Sequence, residues 1–232
     1  MRKVPKKNTP YLIVGRGRVA KHISEYFKQM NIPFLNWDRS KKTPISIFIK
    51  KVDKVLLAVP DDSIEKLASS ISNKTIIHFS GAVTNKTIES AHPLYTFGHD
   101  LYDLKVYKTI PFITEKGKRS FKELFPELNN KSFQINKKDK LLYHAWASMA
   151  GNFSSLLIIE YSKILKDIDL PSSIAKPYLL QMVRNSVKNE RALTGPIIRG
   201  DKKTISKHLN VIGEDFIKIY QSFLSLYSKK YS

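Results

Sequence analysis

The chain has 232 residues, with 40 Lys and Arg against 20 Asp and Glu, a net charge of +20 and no cysteine. That length allows a substantial core in one large or two small domains. The lack of cysteine excludes disulfides, thiolate nucleophiles and cysteine-ligated metals, and suits a reducing compartment.

At the N-terminus, Arg2, Lys3, Lys6 and Lys7 precede an apolar run too short for a signal peptide. That run, Tyr11–Val14, reads as a buried strand and leads into Gly15-Arg16-Gly17-Arg18-Val19-Ala20. An amphipathic helix through Val19, Ile23, Tyr26, Phe27 and Met30 follows. Strand, Gly-x-Gly-x-x-Ala and helix in this order are the fingerprint of a dinucleotide site. Gly15 permits the tight turn, Gly17 lets the backbone approach a pyrophosphate, and Ala20 lets helix pack closely on strand. A second apolar run, Phe34–Trp37, ends at Asp38, about 20 residues on as the fingerprint requires.

Strand and helix continue to alternate. The continuous apolar run Val55–Val59 suits a strand buried on both faces, and Pro60 stops it. Asp62 and Glu65 have capping-box spacing and open a helix through Ile64, Leu67, Ala68 and Ile71. Further strands are predicted at Thr75–Phe79, Thr109–Ile113 and Ser132–Ile135, with a helix near Lys118–Phe125. The pattern predicts an α/β fold, a Rossmann-like doubly wound and mostly parallel sheet, over residues 1–135.

The polar stretch Asn129–Lys140 reads as a junction, and residues 136–232 as an all-α domain for substrate and dimerisation. One long helix is predicted over Lys138–Lys166, a second from Pro171 towards Arg191, and a third from Lys202 to Tyr227. The longest apolar stretch, Leu141–Leu165, is broken by His144, Ser148, Asn152, Ser154, Ser155 and Glu160, which favours a buried helix over a membrane span. The chain is therefore expected in the cytoplasm. Its charge invites a nucleic-acid reading. The lysines are spread along the chain, however, with no helix-turn-helix, zinc or RNA-binding signature, so a solvated basic surface is preferred.

Several segments carry a family resemblance. They are Val59-Pro60-Asp61-Asp62-Ser63-Ile64, His78-Phe79-Ser80-Gly81-Ala82, His92-Pro93-Leu94-Tyr95-Thr96-Phe97, Tyr143–Phe153 and Leu193-Thr194-Gly195-Pro196-Ile197-Ile198-Arg199-Gly200-Asp201. With Gly15–Ala20 they resemble the Rossmann-like candidate NADP oxidoreductases whose helical C-terminal half is a domain of unknown function. That family is similar to the 6-phosphogluconate dehydrogenase, ketopantoate reductase and pyrroline-carboxylate reductase group. The resemblance covers residues 10 to 212 and implies fold and cofactor class without giving a substrate. Against the family, this chain is shorter at the C-terminus.

Arg16 and Arg18 either add charge to the phosphate turn or are surface arginines. Asp38 suits a ribose 2′-OH, whereas Arg39, Ser40, Lys41 and Lys42 suit a 2′-phosphate, so NADP is favoured over NAD. The resemblance implies that Val59 and Pro60 pass the cofactor's ribose, and that Ser80 and Gly81 lie near the nicotinamide ribose. His78 reads as a buried, hydrogen-bonded histidine. No histidine has metal-ligand spacing, so no metal is expected.

His92 lies before Pro93 in a loop and is a candidate proton donor. His144, Ser148 and Asn152 recur every four residues, a drift of about 40° per step, and share a helix face. In related β-hydroxyacid dehydrogenases a lysine and, four residues on, an asparagine serve the substrate from such a helix. Asn152 fits the asparagine, and Ser148 stands where the lysine would be, so the proton passes to His92 or His144. Core hydrogen bonding is the alternative. Arg199 suits a substrate carboxylate, with Thr194 beside it in the loop, and Asp201 either orients Arg199 or caps the next helix.

The expected function is hydride transfer between NADP and a small carbonyl, hydroxy-acid or imine substrate, by a homodimer formed through the helical domain. A non-catalytic NADP-binding sensor is the main alternative, and a nucleic-acid-binding protein the lesser one.

Overall fold

Short apolar strands with side chains alternating between two faces need helices on both sides to bury them. In the computed structural model, which describes residues 9–189 and 192–231, β1 (Tyr11–Val14) leads through α1 (Arg18–Gln29) to β2 (Phe34–Trp37). Next come α2 (Ile45–Ile49), β3 (Lys54–Leu57), α3 (Asp61–Ser69), β4 (Thr75–His78) and the two-residue β5 (Glu89–Ser90). The five strands form a parallel sheet in the order β2-β1-β3-β4-β5. From β1 the chain steps outward to β2 and then returns to β3 on the other side. The connections therefore part at β1 and leave a crevice at the carboxyl ends of the strands.

The pleat sorts the core. Tyr11, Ile13, Leu56 and Ile77 join Ala20, Ile23, Tyr26 and Phe27 of α1 in one buried cluster. Leu12, Val14, Val55 and Leu57 join Ile64 and Ala68 of α3 in the other. Asp62 and Glu65 make no capping box: Pro60 is the N-cap of α3, and no side chain bonds the first turn. Pro60 already supplies the extended entry at φ −54°, ψ 146°, which leaves Asp61 and Asp62 inside the helix.

A second, three-stranded sheet follows where one continuous sheet was expected. β6 (His92–Pro93) is antiparallel to β7 (Phe112–Glu115), and β7 is parallel to β8 (Ser132–Ile135). Between them lie α4 (Leu104–Thr109) and α5 (Phe121–Leu124). The strand predicted over Thr109–Ile113 thus begins three residues later. Asn130 Nδ2 ties down Tyr107 O at 2.8 Å and Ile110 O at 2.9 Å, so the end of α4 occupies that stretch. The capping box of this region is Ser120 with Glu123, at the start of α5.

The C-terminal helices are α6 (Lys140–Ser148), α7 (Ser154–Asp167), α8 (Ala175–Lys188), α9 (Pro196–Arg199), α10 (Lys202–Val211) and α11 (Glu214–Tyr231). The single helix predicted over Lys138–Lys166 contains a π-helical turn, Met149–Phe153, between α6 and α7. The helix predicted from Lys202 to Tyr227 breaks at Ile212 and Gly213 into two. The basic N-terminal residues and the predicted helix end at Arg191 lie outside the described residues.

The chain divides into compact units Met1–Leu156 and Leu157–Ser232, later than a junction after Ile135. Lys140 joins α6 to the first of these. Only 2% exposed, its Nζ reaches Ser90 Oγ at 2.7 Å and Glu115 Oε1 at 2.8 Å, tying the first turn of α6 to both sheets. Among the described residues no helix is long and apolar enough to cross a membrane.

Candidate cofactor and catalytic site

The crevice begins at Gly15. Its φ is +134°, and a Cβ there would lie 2.1 Å from the Ala58 carbonyl oxygen, so the exits of β1 and β3 touch backbone to backbone. Only glycine fits both conditions. Gly17, by contrast, has open space where its Cβ would stand. It is the N-cap of α1, with no side chain bonding the first turn and no acidic residue within it. The first N–H groups of α1 are therefore left for an anion, and the helix dipole favours one. The cavity has a volume of about 820 Å³ and is lined by Gly15–Val19, Trp37–Ser40, Ala58–Asp61 and Ser80.

Beyond β2 the loop organises itself. Asp38 Oδ1 accepts from Ser40 N at 2.9 Å and Ser40 Oγ at 2.5 Å, and these bonds hold its carboxyl below the usual range. Asp38 is thereby committed to its own turn. Arg39 reaches across the cavity edge, donating from Nη2 to Ser63 Oγ at 3.3 Å.

At the end of β4, Ser80 Oγ donates to Asp61 Oδ2 at 2.8 Å and accepts from Ala82 N and Val83 N at 3.1 and 3.0 Å. Ser80 thus builds the turn as well as lining the cavity. Gly81 then meets α6: a Cβ there would stand 2.3 Å from His144 Nδ1. The His144 and His92 rings are edge to face at 5.4 Å, and His92 Nδ1 shares a 2.9 Å hydrogen bond with the Tyr143 hydroxyl. Burial, then His144 and Lys140, push the His92 pKa down to about 4, so its ring is neutral at pH 7. Burial raises Tyr143 to about 12.

His78 is fully buried and accepts from Ser80 N at 3.2 Å through Nδ1, while among the described residues its Nε2 has no partner. Burial, then Lys140 and Lys118, bring its pKa down to about 3. The half of the expectation that made His78 a buried histidine holds, and only one of its two nitrogens is hydrogen-bonded.

Gly15, Arg16, Gly17, Arg18, Val19, Asp38, Arg39, Ser40, Val59, Pro60 and Ser80 thus line one cavity. Gly81, His92 and His144 form a second group that adjoins it through Ser80. Ser148 ends α6 at intermediate exposure, but Asn152 falls within the π-helical turn and is exposed. The regular 100° step assumed for a common face with His144 stops at Ser148, because a π-turn holds more residues than an α-turn.

Thr194, Arg199 and Asp201 belong to the second unit. There Asp201 caps α10, with Oδ1 accepting from Thr204 N at 3.1 Å and Oδ2 from Thr204 Oγ1 at 2.7 Å. Among the described residues no three His, Asp or Glu side chains are grouped to hold a metal.

Sequence reasoning missed Lys140 and Tyr143. Lys140 looked like one more lysine of a basic junction, and nothing local signals that it is buried. Tyr143 lay inside a noted motif, but its partner is 51 residues away in another element.

These elements define the class: a Rossmann-like parallel sheet with a glycine-turn crevice, followed by helices. Residues 110–226, just over half of the chain, match the family described as a domain of unknown function, DUF2520. The chain belongs to that family. No curated protein matches it.

Among solved structures it is similar to a candidate NADP oxidoreductase from Bacteroides fragilis, at 18% identity and TM-score 0.78, over 96% of this chain and 99% of that one. A protein from Thermotoga maritima follows at 21% identity and TM-score 0.65, over 94% and 97%. Pyrroline carboxylate reductase from Plasmodium falciparum, solved with NADP bound, matches at 17% identity and TM-score 0.58, over 97% and 92%. At these identities the likeness is one of fold.

Proposed function

We propose that the protein is an oxidoreductase that uses NADP to reduce, or in reverse to oxidise, a small carbonyl, hydroxy-acid or imine compound. The carrying observation is the crevice at β1, in which an exposed Gly17 and the uncapped N-terminus of α1 face a cavity of dinucleotide size. Nicotinamide would supply the hydride, and the protein's share is positioning and electrostatics. The NADP bound to the fold's Plasmodium neighbour supports the same cofactor class.

NADP is preferred to NAD because Asp38 is engaged by Ser40, which leaves Arg39 as the charged group best suited to a 2′-phosphate. Arg16 and Arg18 would add charge beside the pyrophosphate. Val59, Pro60, Ser80 and Gly81 would border the ribose and nicotinamide, and His92 or His144 would handle the proton. For the substrate we propose Ser148 and Asn152 within the first unit; Thr194 and Arg199 are candidates within the second, where Asp201 caps α10. Lys140 does not take the place of the missing helix lysine, since its ammonium is spent on Glu115 and Ser90.

The protein is further proposed to be a cytoplasmic homodimer joined through its helices. In support, large apolar side chains of the helices stand in water in the monomer, with Val187 83% exposed, Val211 81% and Ile159 54%. Sedimentation velocity that finds only monomer at micromolar concentration would remove that part of the reading.

Calorimetric titration with NADPH and NADH tests the function. NADPH is expected to bind in the micromolar range, Gly17→Glu to abolish binding, and Arg39→Ala to weaken NADPH about tenfold or more while sparing NADH. Binding with no turnover in any carbonyl or imine screen would make the protein a nucleotide sensor. Absence of binding ends the oxidoreductase reading.

A further inference from the structure

His92 and Tyr143 come from β6 and α6 and share a 2.9 Å hydrogen bond between Nδ1 and the phenol. The direction of that bond follows from donor chemistry. Burial keeps the Tyr143 proton on its oxygen. A phenol is a good donor and a poor acceptor, and an imidazole nitrogen is a strong acceptor. The only partner recorded for the Tyr143 hydroxyl among the described residues is His92. The phenol therefore donates to Nδ1, and neutral His92 carries its proton on Nε2. That nitrogen has no hydrogen-bond partner among the described residues, and His92 as a residue is only partly buried.

The neighbours of His92 keep this state. His144 and Lys140 from α6 oppose a charge on its ring, while His78 from β4 is itself neutral, and the carboxylate nearest Lys140, Glu115, is paired with that lysine. His144 lacks such an arrangement: among the described residues its Nδ1 is buried against Gly81 without a hydrogen-bond partner. The order along the wall is Ser80 at the cavity, Gly81 against His144, then His92, then Tyr143.

We infer that His92, and not His144, is the proton donor of this site, that it acts through Nε2–H, and that Tyr143 is the positioning residue that fixes this tautomer. The inference rests on the oxidoreductase reading proposed above. As hydride from NADPH adds to the carbonyl or imine carbon, the π-electron pair moves to oxygen or nitrogen. The Nε2 proton passes to that atom, and Nδ1 takes the phenolic proton of Tyr143. Tyrosinate is left; a proton from water then enters at Nε2 as Nδ1 returns its own to the phenolate, which restores the resting tautomer. An imidazole held neutral by its surroundings is a known form of electrophile.

The test is long-range proton–nitrogen NMR of the full ¹⁵N-labelled chain at pH 7, with His92 assigned by its loss in His92→Asn. Wild type is expected to show a protonated Nε2 and an unprotonated Nδ1. Tyr143→Phe, which removes only the hydroxyl, is expected to give a tautomer mixture while binding NADPH within about twofold of wild type.

With NADPH and 1-pyrroline or cyclohexanone as probes, Tyr143→Phe and His92→Gln should lower kcat about 100-fold or more with KM within about threefold. His144→Gln should lower kcat less than about fivefold. A wild-type His92 protonated at Nδ1, or a tautomer unmoved by Tyr143→Phe, overturns the inference even when NADPH binds. Binding of NADPH without reduction of either probe by wild type overturns the donor assignment. Failure to bind NADPH overturns the oxidoreductase reading instead, whatever the NMR signature.

Discussion

Gly81 and His144 are in contact at a distance that no side chain at position 81 allows: a Cβ there would fall 2.3 Å from Nδ1 and 2.8 Å from Cγ of the imidazole. The glycine belongs to the turn after β4 and the histidine to α6, so the missing side chain is what lets helix and sheet close on each other. Gly81→Ala is expected to destabilise the protein by about 1–3 kcal/mol, the range for overpacking a filled site. Urea melts measure it. A loss below about 0.5 kcal/mol would mean that the ring swings away freely and that the contact does not fix it.

The two glycines of the first turn are expected to separate. Gly15→Ala puts a Cβ 2.1 Å from a backbone oxygen and forces an L-residue to φ +134°, so it should cost about 2 kcal/mol or more. Gly17→Ala meets nothing within 4 Å and sits at φ −70°, so stability should change by less than about 1 kcal/mol. Thermal melts of the pair, set beside NADPH titrations, distinguish a glycine kept for the fold from one kept for a ligand.

Glu115 and Lys140 are both 2% exposed and 2.8 Å apart, and Lys118 stands 3.8 Å from the other carboxylate oxygen. Breaking a buried pair leaves an uncompensated charge, at a cost of about 3–5 kcal/mol. Glu115→Leu should be the worse single change, because Lys140 then has no counterion. After Lys140→Met, Glu115 still has Lys118. The double variant should recover a large part of either loss. Equal single effects in chemical denaturation, with no recovery, would contradict this account.

His92 predicts an acid limb. Its pKa is about 4 in the folded protein, against about 6.5 for an unperturbed histidine, so between those values the unfolded chain binds more protons than the native one. Stability contributed by neutral His92 is therefore present above about pH 6.5 and is lost as pH falls towards 4. At pH 5 the loss relative to pH 7 is about 2 kcal/mol from this group. His92→Gln should flatten the limb by that amount. An unchanged slope in urea melts between pH 7 and pH 5 would refute the depressed pKa.

Much of the first sheet was legible because its signals are local. The order of strand, Gly-x-Gly-x-x-Ala, helix and second strand needs only nearest neighbours, and β1, β2 and β3 lie where the apolar runs put them. The elements misread were those whose limits are set by distant partners. The end of α4 is held by Asn130, the entry to α3 is fixed by Pro60 in place of a side-chain cap, and the π-turn at Met149–Phe153 leaves no periodicity to read.

The sequence by itself determined the first turn, because strand, Gly-x-Gly-x-x-Ala and helix form a local signal, and glycine at position 15 permits the φ of +134° that the turn adopts. It also determined the helical second half, through apolar spacing that no strand accommodates. Tertiary structure alone decided the chemistry beside that turn. A lysine read as solvated became a buried counterion of Glu115, and Asp38 was committed to its own turn. Two histidines 52 positions apart came within ring contact of each other, and one of them met a tyrosine. Burial and hydrogen-bond direction depend on what folds against a side chain, and that information is spread over elements that the sequence keeps far apart.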